Sequence, residues 1–273
     1  MLKLRVITAL VLLPIVLGAM FFLERQAFAG VAALFFLAGG WEWSGMMRAP
    51  GKAVRVIWLA SLAGLLLAAE TLRPAWLLTL LPAWWLLALV LVVAYPRLAG
   101  GWFRLPVLAV LGYLLLVPSW AAVVHLQDQG ALGLDGFWAL LFVLLWVWAA
   151  DTGAYFAGRA FGRHKLAPSV SPGKTLEGLV GGAALALLVA GLVAWQGPVT
   201  AAIAPLLLVA LVTVVASVLG DLFESMIKRQ VGIKDSGTLL PGHGGMLDRI
   251  DSVTAALPVA VAMLSLTGLP GGL

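Results

Sequence analysis

Residues 105–124 read LPVLAVLGYLLLVPSWAAVV, a run of twenty residues without a charged side chain. A helix needs about 20 mostly apolar residues to cross the hydrocarbon core of a bilayer, and this run has that length. The whole chain has the same character: 63% of its 273 residues are apolar, 11% are charged, and its mean hydropathy is +1.07. Soluble domains carry roughly 45–50% apolar and about 25% charged residues. The composition therefore excludes a soluble enzyme, a disordered chain and a nucleic-acid-binding protein.

Further apolar runs of this kind predict an all-α, polytopic integral membrane protein with nine transmembrane helices. The predicted spans are residues 6–23, 27–47, 56–69, 75–95, 105–124, 136–157, 178–195, 200–220 and 246–266. They leave no room for a separate soluble domain. Residues 1–273 are therefore predicted to form one membrane domain, with spans one to five in 1–130 and spans six to nine in 131–273. The long polar stretches are the predicted cytosolic loops 158–177 and 221–251.

The basic residues fall almost entirely on one side of this topology. With nine spans, all Lys and Arg residues except Arg25 and Arg73 lie on the side of the N-terminus. Because cytosolic loops of membrane proteins are enriched in Lys and Arg, the N-terminus is predicted in the cytosol and the C-terminal tail outside. The net charge of +5 then reflects these loops and the anionic lipid headgroups beside them, and it does not indicate a nucleic-acid partner.

Ionisable residues gather at the predicted cytosolic ends of the last spans, and a charge at membrane depth by default indicates function. On a helix that continues past residue 220, Asp221, Ser225 and Lys228 share one face. Asp221 then lies near a helix C-terminus, where the helix dipole disfavours an anion, so it needs a cation. Lys228 or Arg229 is the ordinary partner, and a bound metal ion is the alternative.

A second acidic group, Asp248 and Asp251, lies at the start of the ninth span. Acidic residues in a first helical turn are ordinary partners of the helix dipole. Together with Asp221, however, they place carboxylates on consecutive helices at the same membrane face, where two can converge on one Mg²⁺. Mg²⁺ usually takes one or two protein carboxylates plus phosphate oxygens. Asp221 and Asp248 are therefore the candidate metal ligands.

The segment between these two helices is rich in glycine and basic residues. It contains Lys234 and the run Pro-Gly-His-Gly-Gly at 241–245, in which His243 is the polar member. Glycines let backbone N–H groups approach an anion closely, and the following helix N-terminus favours phosphate. Such a run is most often an ordinary turn. Next to Arg229 and Arg249 it is better interpreted as a cradle for a polyphosphate, with His243 either a phosphate contact or a plain loop residue.

The loop before span seven carries a second basic motif, Ser171-Pro-Gly-Lys174-Thr175. Ser171 or Thr175 can cap the following helix, which explains the hydroxyl groups but not Lys174. The motif is not a P-loop, because the Gly-x-x-x-x-Gly-Lys-Ser/Thr spacing is absent. Asp151, near the cytosolic end of span six, either pairs with Arg159 or lines the same site.

Residues 225–251 resemble the signature of the phosphatidate cytidylyltransferases, or CDP-diacylglycerol synthases. The resemblance is carried by Ser225-Met-Ile-Lys228-Arg229, Lys234-Asp-Ser-Gly237 and Leu240-Pro-Gly-His-Gly-Gly-Met-Leu-Asp248-Arg249-Ile-Asp251. Two other stretches, Asp151-Thr-Gly-Ala-Tyr-Phe and Ser171-Pro-x-Lys174-Thr-x-Glu177-Gly, are similar to further motifs of that family, with Gly173 where a basic residue is common. The N-terminal half resembles the family only in hydropathy and in Trp41-Glu42-Trp43.

The resemblance implies an enzyme that transfers a cytidylyl group from CTP to phosphatidate, giving CDP-diacylglycerol and pyrophosphate. It implies dependence on Mg²⁺, held by Asp221 and Asp248, and leaves a second cation open. It also implies that Asp221, Asp248, Lys228 and Arg229 are the catalytic residues. It also implies a homodimer, while the small size and compact loops favour a bacterial inner membrane. The candidate substrate-binding residues are Ser171, Lys174, Ser225, Lys234, His243, Arg249, Asp151 and Asp251.

Two other functions are considered. A CTP-dependent polyprenol or phytol kinase would also place acidic and basic residues at a cytosolic membrane face. It would need a base for the substrate hydroxyl, however, and the match over residues 225–251 argues against it. An ion-coupled transporter would place carboxylates near the bilayer midplane in symmetric halves. Here the carboxylates gather at one face and one end of the chain.

Overall fold

The structure, a computed structural model, describes residues 2–49, 51–197, 199, 201–240, 242 and 244–273. Its helices are α1 (Leu2–Phe22), α2 (Arg25–Met46), α3 (Lys52–Leu72), α4 (Trp76–Thr79), α5 (Trp84–Ala94), α6 (Ala99–Trp102), α7 (Leu105–Gln129), α8 (Gly136–Phe161), α9 (Leu176–Trp195), α10 (Ile203–Val231) and α11 (Leu247–Thr267). A 3₁₀ turn covers Leu81–Ala83. Two short strands, β1 (Lys165–Ala167) and β2 (Ser171–Thr175), pair with each other.

Eight segments of the described chain are long and apolar enough to cross a membrane. They are α2, α3, Trp76–Ala94 (α4, the 3₁₀ turn and α5), α7, α8, α9, α10 and α11, and they correspond to predicted spans two to nine. The first predicted span, 6–23, falls on α1, in which Leu10–Phe22 is a shorter apolar helix. The predicted all-α, polytopic membrane fold is confirmed.

The fourth span is interrupted by a proline. Pro82 lies in the 3₁₀ turn, and because proline lacks a backbone N–H and clashes with the preceding turn, the regular helix stops there. The chain resumes as α5 with Trp84 and Trp85, whose rings meet the ring of Phe223 edge-on at centroid distances of 5.4 and 5.9 Å. These contacts hold the span against α10, the helix that carries four of the candidate site residues.

Glycines let α8 pack closely against α9, and α10 against α11. A Cβ atom on Gly182 of α9 would lie 2.5 Å from the carbonyl oxygen of Ala150 in α8. A Cβ atom on Gly220 of α10 would likewise lie 2.5 Å from the carbonyl oxygen of Asp251 in α11. Only glycine permits such close approaches of two backbones. The four helices thereby converge at the end of the bundle that carries the candidate site.

The polar segments contain more regular structure than the sequence predicted. Helix α8 continues to Phe161 and α10 to Val231, so the beginning of the predicted loop 221–251 is helical. Loop 158–177 contains an antiparallel hairpin in which Lys165 is paired with Thr175. The strands of this hairpin are three and five residues long. Such short strands carry too little alternation to be predicted from the sequence.

Arg25, predicted on the outer side, lies with two acidic residues at the end of the bundle opposite the candidate site. Arg25, at the start of α2, donates to both carboxylate oxygens of Glu70 in α3 at 2.9 and 3.0 Å. It also contacts the carboxylate of Asp128 near the end of α7. These contacts agree with the predicted alternation of spans two, three and five. Which end of the bundle faces the cytosol stays a prediction.

Candidate active site

Asp221, on α10, forms the first ion pair of the site. Its Oδ2 atom is 2.7 Å from the Nζ atom of Lys174 on β2. Its Oδ1 atom accepts a hydrogen bond from the Ser225 hydroxyl at 3.1 Å, in agreement with the predicted shared helix face. The cation beside Asp221 therefore comes from the hairpin, and not from Lys228 or Arg229 as the ordinary alternative supposed. The helix also continues nearly three turns beyond Asp221, so the carboxylate lies outside the last turn. The unfavourable effect of the helix dipole is confined to that last turn and does not reach Asp221.

The hairpin that carries Lys174 is anchored to α9. Thr175 is the N-cap of α9, one of the two caps predicted, and its hydroxyl accepts a hydrogen bond from a backbone N–H of the first turn at 3.1 Å. Glu177, also in that turn, accepts hydrogen bonds from the backbone N–H groups of Arg163 and His164 at 3.0 and 3.2 Å. Lys174 therefore reaches α10 from an anchored strand.

Arg229, predicted as a catalytic residue, donates to backbone carbonyl groups. Its Nε atom donates to the carbonyl oxygen of Val170, between β1 and β2, and its Nη1 atom to that of Ile233, both at 3.3 Å. These contacts join the hairpin to the end of α10. The described contacts of Arg229 are thus structural, and the side chain is exposed at the same face as the other site residues.

A cavity of about 530 Å³, which we call the hairpin cavity, lies between α8, the hairpin, α9 and α10. Asp151, Lys174 and Asp221 all line it. Arg159, the other partner considered for Asp151, donates instead to the Tyr155 hydroxyl at 3.0 Å. The apolar part of the wall includes Ala154, Leu166, Leu179 and Val218. Asp151 therefore faces the site.

Lys228 forms the second ion pair and joins α10 to α11. Its Nζ atom is 3.1 Å from Oε1 of Glu224, one turn earlier, and 2.7 Å from Oδ1 of Asp248 in the first turn of α11. Only 7% of Lys228 is exposed and Glu224 is fully buried. Burying a charge is costly unless it is paired, so the ammonium group between two carboxylates makes this arrangement possible.

Asp248 is also held by the loop that precedes α11. Its carboxylate accepts hydrogen bonds from the backbone N–H groups of Ser236 at 3.0 Å and Gly245 at 2.9 Å. The first turn of a helix favours a negative charge as well. Asp248 therefore connects the loop and α11 to Lys228.

The two predicted metal ligands contact different lysines, so the structure does not bring Asp221 and Asp248 onto one cation. Asp251, on α11, is half-buried, and its backbone carbonyl oxygen lies against Gly220 of α10, the residue before Asp221. Within the described part of the chain, no three carboxylate or imidazole groups lie close enough to hold a metal ion by themselves. The two lysine–aspartate pairs, Lys174–Asp221 and Lys228–Asp248, are neighbouring but separate.

A second cavity, of about 540 Å³, lies at the glycine-rich loop, and we call it the loop cavity. It is lined by Lys234, Asp235, Gly237, Thr238, Leu240, Gly242 and Gly244. The backbone N–H of Leu240 donates to the carbonyl oxygen of Gly244 at 2.9 Å, and Gly244 has a φ of +84°, a conformation that favours glycine. Lys234 and Arg249 are exposed here. Ser171 is half-buried in β2, and His243 lies outside the described residues.

Two carboxylates that the sequence did not assign to the site take part in it. Glu224 pairs with Lys228, as described above. Glu42, near the end of α2, accepts hydrogen bonds from the residues that begin α11. The sequence could have pointed to both, since each is an ionisable residue within an apolar helix, which by default indicates function. Their partners were not predictable, because for Glu42 they lie about two hundred residues away in the sequence.

Comparisons with known proteins identify the family to which this chain is similar. The family model described as the cytidylyltransferase family matches residues 3–267. A protein from Pseudomonas aeruginosa named phosphatidate cytidylyltransferase is 46% identical over 272 residues, which cover 98% of each chain. A protein of that name from Haemophilus influenzae is 41% identical over 278 residues, covering 94% of this chain and 96% of the other. The matched range contains every candidate site residue.

Proposed function

The chain belongs to the cytidylyltransferase family and is an enzyme of that family, and we propose that it transfers the cytidylyl group of CTP to phosphatidate. The products are CDP-diacylglycerol and pyrophosphate. Relatives named for this activity over nearly the whole chain support the substrates. The structural observation that carries the proposal is the Lys174–Asp221 pair in the wall of the hairpin cavity, together with the Lys228–Asp248 pair that holds the loop lining the second cavity.

We assign one substrate to each cavity by its chemistry. The hairpin cavity has walls from three membrane-spanning helices and a largely apolar lining around Lys174, which suits a phosphate group that carries acyl chains. The loop cavity has glycine backbone and Lys234 in its lining, which suits a polyphosphate. The assignment therefore places phosphatidate beside Lys174–Asp221, and CTP beside the loop and Lys228–Asp248.

The proposed reaction needs positioning and charge neutralisation more than activation of a nucleophile. A phosphate oxygen of phosphatidate attacks the α-phosphorus of CTP in line, and the bond from that phosphorus to the bridging oxygen breaks. Pyrophosphate leaves with the electron pair. Because the attacking phosphate is already an anion, no serine–histidine pair is required. Lys174 and Lys228 bring positive charge to the phosphates, which is the main means by which proteins catalyse such transfers.

Mg²⁺ stays part of the proposal, with Asp221 and Asp248 as the residues that would hold it, although each of them contacts a lysine in this structure, and a second cation is left open. In the two ion-paired groups, Lys174 contacts Asp221, and Lys228 contacts both Glu224 and Asp248, so carboxylates outnumber ammonium groups by one. A cation would offset this excess. Mg²⁺ takes one or two protein carboxylates and completes its shell with phosphate oxygens and water, so it does not need three converging carboxylates. When bound, it would neutralise the triphosphate and stabilise the leaving pyrophosphate.

The proposal extends to location and assembly. The chain is a multi-pass membrane protein, and its bacterial relatives support the inner membrane as its location. A homodimer is proposed from the family resemblance alone. Native mass spectrometry of the protein in detergent tests it, and a mass of one chain at all protein concentrations would contradict it.

Labelled CTP tests the reaction itself. Purified protein is incubated with phosphatidate and with CTP labelled at either the α- or the γ-phosphate. A cytidylyltransferase transfers only the α-label to the lipid, whereas a CTP-dependent lipid kinase transfers only the γ-label to an alcohol. Recovery of γ-label in lipid, or of no label from either CTP, would refute the proposed function.

Lys174→Ala is expected to raise the KM for phosphatidate by about ten- to hundredfold and to lower kcat less. The change removes a charged donor to the lipid phosphate, and hydrogen bonds to charged groups contribute about 1.5–3 kcal/mol. Lys165→Ala is the matched control, because Lys165 is an exposed lysine on the other strand of the same hairpin. Unchanged KM values for both substrates in Lys174→Ala would remove Lys174 from the binding site.

A further inference from the structure

Glu42 lies far from the reacting groups in sequence but next to the loop that forms the loop cavity. The residue is near the end of α2 and only 7% exposed. Its Oε1 atom accepts a hydrogen bond from the backbone N–H of Met246 at 3.0 Å. Its Oε2 atom accepts one from the N–H of Leu247 at 2.8 Å and one from the Ser236 hydroxyl at 3.0 Å. One carboxylate on a separate helix therefore holds both ends of the loop.

Asp248 holds the same two ends from the other side. It accepts from the N–H groups of Ser236 and Gly245, whereas Glu42 accepts from the Ser236 hydroxyl and from Met246 and Leu247. Most of the lining of the loop cavity comes from residues between these two anchor points, namely Gly237, Thr238, Leu240, Gly242 and Gly244. The shape of the cavity thus depends on two carboxylates, one of which also contacts Lys228.

Two glycines of the loop pack closely against the Glu42 carboxylate. A Cβ atom on Gly237 would lie 2.4 Å from its Oε1 atom, and a Cβ atom on Gly245 would lie 2.5 Å from its Oε2 atom. The neighbouring Trp43 is fully buried and donates from Nε1 to the carbonyl oxygen of Leu108 at 2.8 Å. Helix α2 is therefore fixed at this point, and the two glycines let the loop close onto the carboxylate.

We infer that Glu42 is a positioning residue for the nucleotide: it holds the loop in the conformation that binds the polyphosphate of CTP, without touching the substrate. The inference rests on the proposed function, since it takes the loop as the CTP site. A residue that only stabilised the fold would lower the amount of active protein and leave both KM values unchanged. A residue that shapes the loop cavity instead raises the KM for CTP.

Glu42→Gln is the test variant and Glu70→Gln its matched control. Both exchange a part-buried carboxylate for an amide, and Glu70 lies at the opposite end of the bundle, held by Arg25. In Glu42→Gln the amide nitrogen faces N–H donors, so at least one hydrogen bond is lost. We expect the KM for CTP to rise about tenfold or more and the KM for phosphatidate to stay within about twofold, since small misplacement of a binding group is costly. Glu70→Gln should leave both constants unchanged.

Hydrogen–deuterium exchange provides a readout that does not depend on activity. The amides of Met246 and Leu247 should exchange about tenfold faster or more in Glu42→Gln, because their acceptor is weakened, while peptides from α8 and α9 stay unchanged. Unchanged exchange of these two amides would overturn the contact. Faster exchange with both KM values unchanged would overturn the positioning role and leave a structural one.

Gly237→Ala gives an independent check. The added methyl group would meet only the Glu42 side chain among its nearest neighbours, so it should raise the KM for CTP in the native background. In a Glu42→Ala background that collision is absent, and the same change should have less than about a third of its effect, since contacting residues are not additive. Full additivity would contradict the inference.

A native protein that makes no CDP-diacylglycerol would refute the proposed function and, with it, the role of Glu42 in CTP binding. Hydrogen exchange would still decide whether Glu42 holds the loop.

Discussion

Asp221→Asn is expected to lower kcat by about 10²- to 10³-fold in a protein that still folds and inserts into the membrane. The magnitude follows from the loss of one group that stabilises charge in an active site. Asparagine keeps the shape and can still accept a hydrogen bond from the Ser225 hydroxyl, so the helix is preserved. It has no negative charge to pair with Lys174 or, in the proposed mechanism, to hold Mg²⁺. The rate of CDP-diacylglycerol formation at several Mg²⁺ concentrations measures the effect.

Two further variants make this result specific. Asp248→Asn should show a comparable loss, and in both variants the Mg²⁺ concentration for half-maximal rate should rise. Asp135→Asn is the matched control, because Asp135 is exposed, makes no capping hydrogen bond and precedes α8 at the end of the bundle away from the site. Near-normal activity in Asp221→Asn or Asp248→Asn would refute the proposed metal ligands.

Lys228→Met is expected to lower the free energy of unfolding by about 3–5 kcal/mol and to abolish turnover. Methionine fills much of the same volume, but it leaves Glu224 and Asp248 without the ammonium group that both contact. Removing one partner of a buried ion pair costs this much because an uncompensated charge stays behind. Unfolding by SDS titration in mixed micelles measures the stability, and the assay with labelled CTP measures turnover.

The double variant Lys228→Met/Glu224→Gln separates the buried charge from general damage to the core. It should recover about 1–3 kcal/mol of the loss, because the second change removes one of the unpaired carboxylates. Lys52→Met, at the exposed start of α3, is the matched control and should be neutral. A Lys228→Met protein as stable as the native one would show that the ammonium group does not stabilise this part of the fold.

The membrane fold was predictable from the sequence because its cause is local. Each span is a run of consecutive apolar residues, and a bilayer leaves backbone polar groups no partner except those of the same helix. Predicted spans two to nine therefore match helices of the structure within a few residues at most ends. The largest difference is α10, predicted to end at residue 220 and extending to Val231, because polar residues can continue a helix beyond the hydrophobic run.

The contacts of the candidate site were predictable from the sequence only in part. The spacing of Asp221 and Ser225 predicted their contact, because a helix brings residues four apart onto one face. The pairing of Asp221 with Lys174 was not predictable, because it depends on a hairpin that the sequence did not indicate and on how that hairpin packs against α10. The same holds for Lys228, which shares a face with Asp221 but contacts Asp248 of the next helix.

The amino-acid sequence by itself determined that this chain crosses the membrane many times, and which segments do so, because hydrophobicity and helical hydrogen bonding act between near neighbours. It also determined which residue types gather at one end of the spans. Only the tertiary structure decided which lysine neutralises which aspartate, and that Glu42 of the second span holds the loop before the last. Those choices depend on helix packing between residues far apart in the chain, where side-chain size and the close approach at glycines decide which charges can meet.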